Sequence, residues 1–301
     1  MQRFKKILFL NRSGLDDSDA FGTAIRLATE NDAELKIIEV HTTIHPDSTT
    51  DEQIPTHTAL MNKVQVERKA HLEHLIAMYQ QDVNVSTEIF FGAPFQETIL
   101  QVLRHNYQLV ILAPEEHSLE SMVFGATDMH LLRKCPCPVW IVKTGAQKQL
   151  KHIMAAVDID TTDGEEQSLN THIITLSSSL AQIEASKLHL AHALTASYSN
   201  QISAHDAHEA WIKGLFNEAG VAKPDHGVDY HMVEGKAEDV IPQLCEQQHI
   251  DLLVMGTVAR SGIPKLLIGN TAEKIISKLH CSLLAIKPDH FVCPISLDDS
   301  M

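Results

Sequence analysis

The sequence predicts an α/β protein of two tandem doubly wound units, each a five-stranded parallel sheet covered by helices. Three observations predict it. Short apolar runs alternate with helical patterns along the whole chain, the order of a parallel sheet buried on both faces. The order of elements occurs twice, at a nearly constant offset. The length, 301 residues, suits two domains at about 100–200 residues each.

The first-half strands are expected at 7–10, 35–40, 85–90, 109–112 and 139–142, and the second-half strands at 153–157, 188–191, 228–232, 252–255 and 283–286. The longest amphipathic stretch runs over 57–81, with Leu60, Met61, Val64, Leu72, Leu75, Ile76 and Tyr79 on one side. Second-half helices are expected near 165–182, 204–219, 237–248 and 270–279.

The repeat shows in its punctuation. Gly92 and Gly235, Leu109 and Leu252, and Ala113 and Gly256 are each 143 apart. Gly125 and Gly269, Cys137 and Cys281, and Lys143 and Lys287 are 144 apart. The expected domains are 1–144 and 151–290, followed by an acidic tail over 291–301. The six-residue linker from Thr144 to Gln149 is short enough to hold the units together as a pseudo-symmetric pair, like the two chains of a homodimer.

A net charge of −15 opposes phosphate-backbone contact, so nucleic acid is not an expected partner. No apolar run reaches the roughly 18 residues of a membrane span. The apolar part of the N-terminus, 7–10, is followed at once by acids and reads as a strand, not a leader. Five cysteines are few and odd in number, which suits reduced thiols and a cytoplasmic location. Cys135-Pro136-Cys137 lacks the two-residue gap of redox and zinc motifs. Among 19 histidines, His205 and His208 have helical spacing, but no third ligand accompanies them; His189 and His192 fall on a strand, where odd spacing sends them to opposite faces. No metal site is expected.

The chemistry-bearing segment runs from Met255 to Glu273. It follows a strand, opens a helix, begins and ends on Gly256 and Gly269, and is long for a connection within a compact domain. Its charges are Arg260 and Lys265, with no acid before Glu273. It leads to a helix start at Asn270-Thr271, where free amides favour an anion. This describes a phosphate cradle; equally, Asn270 with Glu273 reads as a capping box. If the strand order is 3-2-1-4-5, the crevice at the switch point lies between strands ending at Val157-Asp158 and Met255-Gly256. Asp158 then faces the glycine loop, as a ribose or adenine acceptor or as a simple turn residue.

These residues resemble the universal stress protein family, in its tandem form, over essentially the whole chain. The family motif is glycine, two residues, glycine, nine residues, then glycine and Ser or Thr. Gly256, Ala259, Gly269 and Asn270 stand at those places, so two of four depart. The strings GNTAEKIISKLHCSLLAIKPD and TDMHLLRKCPCPVWIVK and the acidic tail resemble the E-type members. The resemblance implies an adenine-nucleotide-hydrolase-like fold with strand order 3-2-1-4-5, and ATP, with magnesium, as the ligand of the second half. It implies adenosine contact by Asp158, ribose and phosphate passage along Gly256 and Ala259, and a phosphate turn at Gly269, Asn270 and Thr271. In the first half Asn11 stands at the aspartate position and Ala113 at the first glycine. The loop 114–124 carries three acids, and Gly125-Ala126 closes it without a hydroxyl. Like charge there opposes phosphate.

Three functions are expected to compete. One is a stress-response regulatory protein holding an adenine nucleotide in its second half. Another is a slow ATPase, for which no pair of metal-binding carboxylates converges on the loop. The third is a scaffold whose pocket takes an apolar or lipid-like molecule beside Leu266, Leu267 and Ile268.

Overall fold

The fold comes from a computed structural model that describes residues 4–13, 17–42, 57–79, 83–117, 122–146, 149–158, 164–194, 214–257 and 269–297. The first half contains β1 (Lys6–Asn11), α1 (Ser18–Asn31), β2 (Glu34–His41), α2 (His57–Ala77), β3 (Val85–Phe91), α3 (Pro94–His105) and β4 (Leu109–Leu112). The short strands β5 (Glu116–His117) and β6 (Met122–Val123), α4 (Ala126–Lys134) and β7 (Val139–Ile141) complete it. The second half contains β8 (His152–Ala156), α5 (Gly164–Glu184), β9 (Lys187–Leu194), β10 (Val228–Glu234), α6 (Ala237–Gln247), β11 (Leu252–Gly256), α7 (Asn270–Ile276) and β12 (Ser282–Ile286). Of the helix expected over 204–219, residues 214–218 are helical; 204–213, with His205 and His208, lie outside the described residues.

Ten strands form one sheet in the order β10-β9-β8-β11-β12-β7-β4-β1-β2-β3. Each half has the expected order 3-2-1-4-5. Pairing is parallel except at the junction, where β12 and β7 run antiparallel with Leu284 opposite Trp140. The two halves therefore meet by joining their fifth strands, and backbone groups at that edge are paired instead of exposed. β1, β4, β11 and β12 are nearly continuous apolar runs because helices cover both faces. One core layer contains Phe9, Phe21, Ile37, Trp140 and Leu284; the other contains Leu10, Ile99, Leu132, Met154 and Leu283.

The predicted stripe on α2 is only half used. Leu72 is buried, and Leu75, Ile76 and Tyr79 pack against the core, but Leu60 is exposed. The early turns of α2 extend past the core, so periodicity there does not report burial. In α6, Pro242 has no N–H to give the carbonyl of Glu238, four residues back. Lys278 Nζ donates to that carbonyl instead, at 3.0 Å.

Side chains also join the halves. Arg133 Nη2 reaches Glu273 Oε1 at 2.7 Å, and Arg26 pairs with Glu184. Lys143 Nζ donates to the His280 carbonyl at 2.7 Å, and Lys287 Nζ donates to the Leu132 carbonyl and to Thr257 Oγ1. Cys293 Sγ lies 3.3 Å from the Lys134 carbonyl, and Cys293 and Ile295 pack against the core, so the segment after β12 is fastened to the first half.

Burial pulls Lys287 down from its usual 10.5 to about 8, with partial relief from Cys135 and Cys137. Between those two values the unfolded chain holds one more proton than the folded one, so stability rises with pH there. Relative to Lys287→Met, the wild type should gain about 3 kcal/mol as pH is raised from about 8 to about 10.5. Urea unfolding across that range measures the gain; a flat difference would show that the ammonium is not held in a dry site.

Candidate functional site

The two halves carry equivalent sites at the carboxyl ends of their first and fourth strands. In the second half β8 pairs with β9 on one side and β11 on the other, so the strand order reverses between β8 and β11. Asp158 stands just beyond β8. Its main chain is held on both sides by Asn170: Asp158 N donates to Asn170 Oδ1 at 3.1 Å, and Asn170 Nδ2 donates to the Asp158 carbonyl at 2.5 Å. Asn170 is buried on α5, which fixes where the turn leaves the sheet.

Met255 is buried and Gly256 ends β11. A Cβ on Gly256 would meet Leu169 Cδ2 at 2.6 Å, so close packing of α5 on β11 already accounts for this glycine. Thr257 is buried, and its carbonyl accepts from Gly269 N at 3.2 Å, which brings the far end of the loop back to β11. Gly269 caps α7 with φ −57° and ψ 138°, and Asn270 and Thr271 are exposed in its first turn.

The capping box expected from Asn270 and Glu273 does not form. Gly269 is the cap, no side chain caps it, and Glu273 is drawn across the junction to Arg133. Ala259, Arg260 and Lys265 lie outside the described residues, as do Leu266, Leu267 and Ile268. The structure therefore brings Asp158, Gly256, Gly269, Asn270 and Thr271 to one end of the sheet, with Met255 in the strand beneath.

The first-half counterpart is filled by its own carboxylates. Glu115 lies where the backbone turns after β4; Thr127 N donates to Glu115 Oε2 at 3.0 Å and Thr127 Oγ1 to Glu115 Oε1 at 3.3 Å. Buried Asp128 accepts from Gly125 N at 3.0 Å and Glu115 N at 2.9 Å, and pairs with Arg12. Burial raises the Asp128 carboxyl above its usual value, and the Arg12 guanidinium opposes this. A Cβ on Gly125 would collide with the Glu115 side chain, so here the glycine makes room for a carboxylate.

A cavity of about 290 Å³ beside this turn is lined by Asn11, Arg12, Asp17, Phe21, Arg68 and Tyr79. Both its arginines are already engaged. Arg12 Nη1 also donates to the Ala113 carbonyl at 2.8 Å, and Arg68 donates to Glu39 through Nε and Nη2 at 2.7 and 3.0 Å. Asn11 Nδ2 donates to the same Glu39 at 2.8 Å. The charge excess of loop 114–124 was visible in the sequence, but the seat that Glu115 takes on α4 was not. The antiparallel pair β5–β6, with Glu116 opposite Val123, was also missed, because two-residue strands leave no periodic signal.

Cys135 and Cys137 are both buried, with their sulfurs 3.6 Å apart. Burial and its neighbour raise the Cys137 thiol well above its usual value, which suits a core position. His189 and His192 do lie on opposite faces of β9, and His192 Nδ1 is 3.0 Å from the Val157 carbonyl. Among the described residues no helix is long and apolar enough to cross a membrane.

A family model described as the Universal stress protein family matches residues 3–143 and 150–287. Universal stress protein E of Escherichia coli K12 is 29% identical over 99% of each chain. That of Salmonella typhi is 30% identical, again over 99% of each. A solved structure from Pseudomonas aeruginosa UCBPP-PA14, described as a universal stress protein, superposes with a TM-score of 0.72 at 25% identity, covering 96% of this chain and 95% of that one. A universal stress protein from Archaeoglobus fulgidus DSM 4304 has a TM-score of 0.63 at 15% identity, covering 93% and 98%; at that identity the likeness is one of fold.

Proposed function

Since the chain belongs to the universal stress protein family, whose name marks a role in stress response, we propose that its second half is an adenine-nucleotide-binding regulatory domain. Its first half serves as a structural partner that binds no nucleotide. The observation that carries this reading is the opposite treatment of charge at two equivalent turns. In the first half Glu115 and Asp128 occupy the amides and hydroxyl that a phosphate would need. In the second half no acid stands between Gly256 and Ala272, Arg260 and Lys265 lie in the loop, and Glu273 is held away by Arg133.

ATP fits that donor set. Asp158 would accept from the adenosine. Gly269 would allow the phosphates close to the backbone, and the Asn270 side-chain amide would donate in place of the family's hydroxyl. Magnesium would accompany the triphosphate as a counter-charge. No catalytic step is assigned; the function is to hold the nucleotide and present a surface that depends on it.

Gly269 has an ordinary φ, so valine can be accommodated there without backbone strain. Gly269→Val should therefore leave the fold intact and weaken Mg-ATP binding by at least about tenfold, a cost of roughly 1.4 kcal/mol, by blocking close approach. Calorimetric titration of both proteins measures this; equal affinities would remove the turn from the site. A purified protein carrying an extracted apolar molecule and binding no ATP would favour the scaffold reading instead.

A further inference from the structure

The second-half sheet carries a row of three imidazoles that the nucleotide reading does not use. His152 opens β8, His189 lies within β9 and His231 within β10. In the parallel register His152 is opposite Lys187 and His189 is opposite Asp229. Each histidine thus stands two residues further along than the last, and residues two apart share a face. The three rings, Lys187 and Asp229 gather on the face that also presents Met154 and Ala191.

His152 Nδ1 is 3.0 Å from His189 Nε2, and His189 Nδ1 is 3.0 Å from His231 Nε2. The His189 and His231 rings are 15° from coplanar with centroids 5.2 Å apart, so they meet edge to edge, nitrogen to nitrogen. One ligand atom from each of His189, Asp229 and His231 lies within 4.8 Å of the others.

We propose that His189 Nδ1, His231 Nε2 and a carboxylate oxygen of Asp229 form a binding site for a zinc-class divalent transition-metal ion. Two imidazole nitrogens and one carboxylate are a donor set that zinc accepts, with water completing four-coordination. At zinc–nitrogen distances of 2.0–2.1 Å, two nitrogens on a tetrahedron are about 3.3 Å apart. The observed separation has to open by a few tenths of an ångström, and both rings have to turn so that their in-plane lone pairs converge on the ion.

In the tautomer that suits ligation, a proton on His231 Nε2 bridges the two nitrogens while no metal is bound. On binding, that proton exchanges through solvent to His231 Nδ1, so both facing nitrogens offer lone pairs and no net charge is lost. His152 supplies the orientation. In the tautomer the site requires, the N–H of His189 Nε2 donates to His152 Nδ1, 3.0 Å away, and leaves His189 Nδ1 to ligate.

Access and charge agree with the assignment. His189 is buried, whereas Asp229 and His231 are half-buried on β10, the edge strand of the sheet, so an ion can enter from solvent. Asp229 also pairs with Lys187 at 2.6 Å; a carboxylate has a second oxygen to give. The row lies away from the carboxyl ends of β8 and β11, so the site is independent of the nucleotide crevice.

The test uses the full chain, stripped with a chelator and titrated with zinc chloride in calorimetry and with Co²⁺ followed by visible absorption. One micromolar or tighter site per chain is expected, with the intense bands of tetrahedral cobalt. His231→Ala and, separately, Asp229→Asn should weaken zinc at least about tenfold and remove those bands, with the circular dichroism unchanged. His71→Ala, at an exposed histidine on α2, should change neither. Absence of a single-site isotherm, or variants that bind as the wild type does, would overturn the proposal and leave the row as a chain of hydrogen-bonded imidazoles.

Discussion

Trp140→Ala should destabilise the protein by about 3–5 kcal/mol and lower its melting temperature by on the order of 10 °C. Among the described residues Trp140 is the bulkiest fully buried side chain, and it sits on β7 between Ile111 of β4 and Leu284 of β12. Truncation removes apolar contact from both halves at once, at the strand pair that makes ten strands one sheet. Its indole N–H has no hydrogen-bond partner among the described residues, so the cost is one of lost packing volume and not of a broken polar contact. Trp140→Phe, which removes that unsatisfied N–H with much less volume, should cost under about 2 kcal/mol. Calorimetric unfolding of both variants is the measurement. Similar costs for the two would place the stabilisation in the indole nitrogen and contradict the packing argument.

The second large effect is expected at Asp128. Its carboxylate is buried and accepts from two main-chain amides while pairing with Arg12, whose side chain is only 10% exposed. Asp128→Ala leaves a nearly buried guanidinium and two amides without their acceptor, and should cost about 3–5 kcal/mol. Asp128→Asn keeps an acceptor for the two amides but turns an amide NH2, a donor, toward Arg12 and so loses the ion pair; about 1–3 kcal/mol, less than for alanine, is expected. Urea unfolding separates the two. A cost below about 1 kcal/mol for the alanine variant would mean that Arg12 finds another partner and that the first-half turn is not held by this pair.

The fold was legible wherever burial is continuous. Strands such as β4 and β11 are covered on both faces, so their runs are uniformly apolar and stand out against the polar helix faces. The repeat was legible in glycines and lysines that keep their places while the core around them varies, and Lys143 and Lys287 both prove to cross the junction. What was not legible depends on contacts between distant residues. Glu273 reads as a cap until Arg133, 140 residues away, claims it. Gly256 reads as room for a ligand until Leu169 is seen to fill the space. The imidazole row draws one residue from each of three strands, so no sequence spacing could announce it.

The central claim is that one turn of two is open to a nucleotide. Amide hydrogen exchange of the full chain, with and without Mg-ATP, tests it most directly, because it locates the ligand without altering a residue. Slowed exchange at 157–158 and 269–271, with none added at 113–127, is the predicted result. Protection at 113–127, or no protection anywhere at saturating nucleotide, would contradict the account.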